Sequence, residues 1–302
     1  MLEIAMPVPI QRRSADLAIA QAQPRDTGIR TSRGAGGRCI PCRPFISAMR
    51  SQDVPTSHPL IDQVRAALEV EPRVNLHRYP IRIEIEGDVV TLSGTVEDIS
   101  AKRRAVLAAS GVQGVREVID ELRVAPSTPM GQDEILVHVR DALYAEPAFC
   151  DYRLVTINHK QEREVARAPE PSRGEILVTV EADGRVILGG TVGGLADRRL
   201  AGVLAWWVPG STDVRNDLQV EPPEEDNDGE ILEAVELALE KDHAVDHHDI
   251  TAGCKDAVVT LAGGIPTGAQ RRLAEHDAWY VDGVRDVHNE LIPVDPAGDF
   301  RS

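Results

Sequence analysis

The chain has 302 residues, a formal charge of −16 and only 3% aromatic residues, and its length suits three small domains better than one large one. The charge is unevenly divided: residues 1–50 hold eight Arg, no Lys and three acidic residues, net +5, which leaves −21 on residues 51–302. An acidic body repels phosphate, so DNA and RNA are not expected as partners, and the simplest attraction to anionic lipid headgroups is weakened too.

Residues 1–56 read as a disordered, Arg-rich N-terminal extension. They show no periodic apolar face, contain Arg12-Arg13 and the glycine-rich run RGAGGRC, and hold no apolar stretch long enough for a signal peptide or a membrane span. A targeting segment is the lesser reading of this composition. Met49, which leads straight into the first periodic segment, is expected to be the true start, and without a secretory signal no route of export is visible. Cys39-x-x-Cys42 has the spacing of half a zinc site or a redox pair, but no second CxxC accompanies it and no strand-helix context supports a redox role. Cys150 and Cys254 fall in different segments and are expected to be unpaired.

From residue 57 onward one pattern recurs three times. A helix face at i, i+3, i+7 opens each copy: Ile61, Val64 and Leu68, then Leu136, Val139 and Leu143, then Leu232, Val235 and Leu239. Ile81, Ile83 and Ile85 follow as a strand with Glu84 and Glu86 outward, and Gly87-Asp88 marks a hairpin turn that Asp183-Gly184 repeats in the second copy. The next strand is VTLSGTV at 90–96, VILGGTV at 186–192 and VTLAGGI at 259–265, alternating with a period of two. Gly94, Gly190 and Gly263 share its buried phase, where a missing side chain is expected to let a helix cross closely.

That helix carries a small-residue stripe, Ala105, Ala109 and Val112, repeated as Ala201, Ala205 and Val208 and as Ala274, Ala278 and Val281. The register holds to a last strand ending in Leu122, Leu218 and Leu291. Helix, strand, strand, helix, strand predicts an α+β fold of three tandem αββαβ sandwiches, spanning 57–126, 130–222 and 227–295. The second copy carries an inserted polar loop at about 158–173, and EPPEEDND at 221–228 reads as a stiff charged spacer before the third.

The order of elements, the VxLxGxV strand, the Ala-rich helix and the GVxxVxNxL ending resemble the BON domain, a module of bacterial osmotically inducible and nodulation proteins. The resemblance covers most of the chain. It implies a non-catalytic module that binds phospholipid or cell-envelope components, linked to osmotic stress and commonly periplasmic or envelope-associated. The copies depart from one another: Ser211 stands where the first has Val115, Trp206-Trp207 interrupt the small-residue helix, and Gly264 replaces threonine in the third, which ends in Ile292-Pro293.

Three groups of residues invite functional readings. Asp242, His243, Asp246, His247, His248 and Asp249 could hold a divalent metal, but they occupy a loop between the first helix and first strand of the third copy, so a solvated loop is expected. Arg103, Arg199 and Arg272 lie two positions before the buried alanine, about 200° round the helix, and are expected to be exposed, with recognition of an acidic partner as the alternative. Asp120, Asn216 and Asn289 fall in the apolar phase of the last strand and need hydrogen-bond partners, expected from backbone at a turn or sheet edge.

No nucleophile, base and orienting acid recur together, and GxxxxGK[ST] is absent. Catalytic residues, cofactors and resident metals are therefore not expected. The open readings are a membrane or envelope adaptor and, as the alternative, a soluble protein-binding scaffold or chaperone-like holdase. The module superficially resembles the KH fold but lacks its basic GxxG clamp.

Overall fold

The computed structural model describes residues 59–294, and the predictions made for the N-terminal extension, Met49 and Cys39-x-x-Cys42 lie outside them. The first module runs α1 (Pro59–Val70), β1 (Ile81–Glu86), β2 (Val89–Val96), α2 (Ile99–Ser110) and β3 (Glu117–Val124). The second runs α3 (Gln132–Ala145), β4 (Arg153–Ile157), β5 (Arg163–Arg167), β6 (Glu175–Val180), β7 (Arg185–Val192), α4 (Leu195–Trp206), β8 (Asp213–Asn216) and β9 (Gln219–Val220). The third runs α5 (Asp228–Lys241), β10 (Ile250–Lys255), β11 (Val258–Ile265), α6 (Gly268–Tyr280) and β12 (Asp286–Pro293).

Each module is the predicted α+β sandwich. β1 pairs antiparallel and β3 parallel with the central β2, and β10, β11 and β12 repeat the arrangement. The alanine stripe is buried throughout: Ala105, Ala109, Ala201, Ala205, Ala274 and Ala278 are each fully covered. Val90, Leu92 and Val96 on the buried face of β2 join Val64 and Leu68 of α1 in one core, and the other modules build equivalent cores.

The inserted stretch of the second module is not simply a loop. β4 runs parallel to β6, and β5 folds back on β4, which extends the sheet to six strands. Leu154 and the β-branched run Val155-Thr156-Ile157 cover the edge of β6, and Asn158 closes the turn by accepting from Lys160 N and Glu162 N at 2.9 and 3.0 Å. An edge left bare in the other modules is thus protected here.

The strand glycines act differently from the expectation. Gly94, Gly190 and Gly263 have φ of +133°, +110° and +123°, and although in phase with the buried face they are exposed. A Cβ would meet no helix. It would lie 2.9 Å from Pro80 O at Gly94 and would overlap Glu175 O at Gly190 and Asp249 O at Gly263. The glycine serves the positive φ and the close approach of the neighbouring strand.

Asp120, Asn216 and Asn289 are half-buried, and each accepts from the amide two residues on: Leu122 N at 3.0 Å, Leu218 N at 3.3 Å and Leu291 N at 3.2 Å. Their other contacts reach the crossing helix. Asn216 and Asn289 donate to Arg198 O and Arg271 O, whereas Asp120 receives the Lys102 ammonium at 3.0 Å. Asp120→Ala is expected to cost about 1–3 kcal/mol, because it strips a charged partner from a buried lysine. A thermal melt matching the parent would refute that role.

The spacer expectation for 221–228 is also corrected. In the column where Asp98 and Thr267 cap α2 and α6 by accepting from Ala101 N and Gln270 N, the second module has Gly194, which has no side chain to cap with. Glu224 fills that role by accepting from Leu195 N at 2.8 Å. Asp226 pairs with Arg199, so the acidic segment is docked against α4 rather than holding modules apart.

Candidate functional site

Every module is bonded to both others. Between the first and third, Arg73 and Ser100 reach Glu275, and Arg104 pairs with Asp286 at 3.1 Å. Between the first and second, buried Lys102 bridges Asp120 and Asp213 at 3.0 and 3.2 Å, Arg123 pairs with Asp183 at 2.7 Å, and Val124 N donates to Thr212 O at 2.8 Å. Between the second and third, Arg198 pairs with Asp282 at 2.8 Å and Lys241 with Glu146 at 3.0 Å. A shared apolar cluster joins Ile99 of the first module and Val203 and Trp206 of the second to the core of the third.

The arginine column does not form one surface. Arg272 is exposed and Arg103 half-buried, but Arg199 is 2% exposed, contrary to expectation. The cause is packing of α4 against α5, which is tolerated because Arg199 donates to Asp282 O at 2.9 Å and pairs with Asp226. The histidine loop lies where it was placed, between α5 and β10, with His243 bonded to Lys241 O and His248 to Asp246. Among the described residues no group of three or more His, Cys, Asp or Glu is arranged to hold a metal. Cys150 and Cys254 are free.

The distinctive geometry is a cleft of about 520 Å³ where the three modules meet. The first module contributes Glu97, Asp98 and Val124; the second Trp206, Trp207 and Pro209; the third Asp242, Leu273, His276, Asp277 and Tyr280. Trp206 and Tyr280 stack, with centroids 5.2 Å apart and planes at 15°. Trp207 Nε1 donates to Asp277 Oδ1 at 2.9 Å, tying the end of α4 to α6.

Charge in this cleft is one-sided. Asp277 is 2% exposed, and burial pushes its carboxyl up to about 8, with Asp242 reinforcing the shift and the Trp207 hydrogen bond opposing it. Burial acts in the same sense on Asp98, but the His276 imidazole 3.4 Å away, the Ala101 amide and the Arg73 charge together prevail and hold that carboxyl below the usual range. Burial also raises the Tyr280 phenol.

Sequence reasoning did not find this cleft. A signal was present: the columns occupied by Ser110-Gly111 in the first module hold Trp206-Trp207 in the second and Trp279-Tyr280 in the third. Four of the chain's ten aromatic residues stand there. Aromatic pairs replacing small residues at two matching helix ends point to a surface that must be covered.

The architecture defines a class: tandem small α+β modules that meet through charged and aromatic side chains. The family model for the BON domain matches residues 58–126, 155–222 and 227–292, and the chain belongs to that family. It is similar to osmotically-inducible protein Y of Escherichia coli (strain K12), 32% identical over 145 residues, which is 48% of this chain and 64% of that protein. The chain thus matches less than two thirds of that relative's length. Among solved structures, the C-terminal domain of CdsD, a structural protein of the type III secretion system of Chlamydia trachomatis, aligns at 13% identity and a TM-score of 0.21, over 78% of this chain and 98% of that one. The PrgH periplasmic domain aligns at 9% identity and a TM-score of 0.19, over 72% and 96%. Scores this low inform neither fold nor function. Among the described residues no helix is long and apolar enough to cross a membrane.

Proposed function

We propose that this chain is a non-catalytic adaptor of the osmotic-stress response that binds phospholipid or cell-envelope material, at a periplasmic or envelope location. The observation that carries the reading is the cross-bonding of three BON modules, which presents three related surfaces in one arrangement. Weak contacts made together gain from effective concentration without any new interaction. The similarity to an osmotically inducible protein supports the stress assignment.

Charge sets the sign of the salt dependence. With net −21 on residues 51–302, binding to anionic vesicles is opposed by repulsion that salt screens. Co-sedimentation with phosphatidylcholine vesicles is therefore expected at low salt, and with vesicles containing anionic lipid it is expected to increase as salt is raised to about 0.5 M, where the Debye length falls to a few ångströms. No pelleting with either vesicle at any salt would overturn the adaptor. Suppressed aggregation of an unfolded client would then favour the holdase.

A further inference from the structure

The carboxylates at the contacts between modules are almost all matched by protein cations. Asp213 meets Lys102, Arg123 and Arg185; Glu275 meets Arg73; Asp286 meets Arg104; Asp282 meets Arg198. Asp277 breaks this rule. It is 2% exposed, one of its oxygens accepts from Trp207, and the other, Oδ2, is buried with no N–H or cationic donor, its hydrogen-bonding neighbour being the Asp242 carboxyl, while the residue lines the three-module cleft. The group acting on it most closely besides Trp207 is a second carboxylate, Asp242. A buried carboxylate oxygen without a donor requires a proton or a cation.

The cleft does not supply that cation from its own lining. Glu97, Asp98, Asp242 and Asp277 all line it, no Lys or Arg does, and the one His, His276, faces Asp98. Apart from Ser127 and Ser211, the rest of the wall is apolar or aromatic, with Trp206, Trp207, Tyr280, Leu273 and Val124 among it. Aromatic side chains favour weakly hydrated organic cations. A metal ion fits less well, because among the described residues no three ligating side chains converge.

We propose that the junction cleft is a binding site for an organic ammonium group on an apolar stem, with Asp277 and Asp242 as its counter-charge and Trp206, Trp207 and Tyr280 as its apolar wall. The cleft is tested with soluble cations and no vesicle, so either reading can fail alone. Its volume, about 520 Å³, accommodates a trimethylammonium or lysyl headgroup with several methylenes.

Binding is coupled to a proton. Burial pushes the empty site's Asp277 carboxyl up to about 8, so at neutral pH it holds a proton that the cation must displace. Glu97 and Asp98 at the start of α2, Asp242 after α5, and His276 and Tyr280 on α6 also face the cleft. Affinity for a cation of fixed charge therefore rises with pH.

The test uses the full chain, whose three tryptophans are Trp206, Trp207 and Trp279, all in the cluster beside the cleft, so that intrinsic fluorescence reports occupancy. Hexyltrimethylammonium represents a headgroup, and N-acetyl-lysine methylamide represents a protein side chain. Hexanol and hexyl sulfate are the uncharged and anionic controls. At least one cation is expected to give a saturable response, confirmed by calorimetry, that is at least about tenfold tighter at about pH 9 than at about pH 6. Asp277→Asn keeps the oxygen that accepts from Trp207 and is expected to weaken binding about tenfold or more at about pH 9 and flatten its pH dependence. Asp242→Asn, at a half-exposed position, is expected to act in the same direction with less risk to folding. No saturation with either cation, equal binding of hexanol, or unchanged affinity in both variants would overturn the proposal.

Discussion

Gly263→Ala is expected to destabilise the chain by about 2–6 kcal/mol, the sum of a positive-φ strain of about 1–3 and an overpacking cost of similar size. At φ +123° an L side chain is strained whatever the space, and here the added methyl overlaps Asp249 O, a backbone atom that cannot rotate away. Asp249 precedes Ile250, which pairs with Gly263 itself, so relief requires parting β10 from β11. Gly190→Ala should behave alike against Glu175 O. Gly94→Ala should be milder, since its methyl would sit 2.9 Å from Pro80 O and needs a smaller shift. Urea unfolding of the three variants checks the order. A midpoint for Gly263→Ala equal to that of the parent would remove the account of why this column is glycine.

The repeat was legible because its physics is local and periodic. Val90, Leu92 and Val96 alternate, the alanines recur at four residues and then three, and both patterns survive folding because each module buries its own strand under its own helix. The meaning of the glycine was not legible: an empty side chain admits a helix or a strand equally, and only φ and the cross-strand carbonyl tell them apart. The third hairpin shows a different blind spot. Asp256 and Ala257 turn at φ of +54° and +61° without a glycine, because the Asp228 carboxylate accepts from both amides at 2.8 Å from a helix nearly thirty residues upstream. The support for this turn is remote in sequence from the residues that make it.

The junction was hidden for the same reason. Arg199 reads as exposed when its helix is considered alone, since two positions from a buried alanine is the far side of a helix; a second helix, α5, covers that far side. Glu275 and Asp277 likewise look like solvated residues on α6, yet they are 3% and 2% exposed because the first and second modules lie over them. Intramodular periodicity carries no information about which wet face meets a neighbour. The breaks in the repeat do carry it: the aromatic pairs where Ser110-Gly111 stand mark where modules meet, and Gly194, where Asp98 and Thr267 cap, marks where the acidic segment docks.

Asp277→Asn is expected to raise stability at alkaline pH while leaving it nearly unchanged in acid. An unfolded aspartate titrates near 3.9, whereas burial holds the native Asp277 carboxyl up to about 8. Below about pH 4 both states keep the proton, so the residue contributes no pH dependence there. Between about pH 4 and 8 the native state binds a proton that the unfolded state has lost, and stability falls with rising pH by up to about 1.4 kcal/mol per unit. The accumulated penalty is on the order of several kcal/mol above about pH 8, and asparagine, which mimics the protonated acid and retains the Trp207 contact, avoids it. For a body of this size that corresponds to a melting temperature higher by roughly 10–20 °C at about pH 9, with the two melts converging near about pH 4. Asp98, whose lowered pKa works in the opposite sense, is common to both chains, so the difference between their melting profiles isolates Asp277. Parallel profiles from about pH 5 to 9 would mean that the buried carboxyl is ionised throughout and already has a partner.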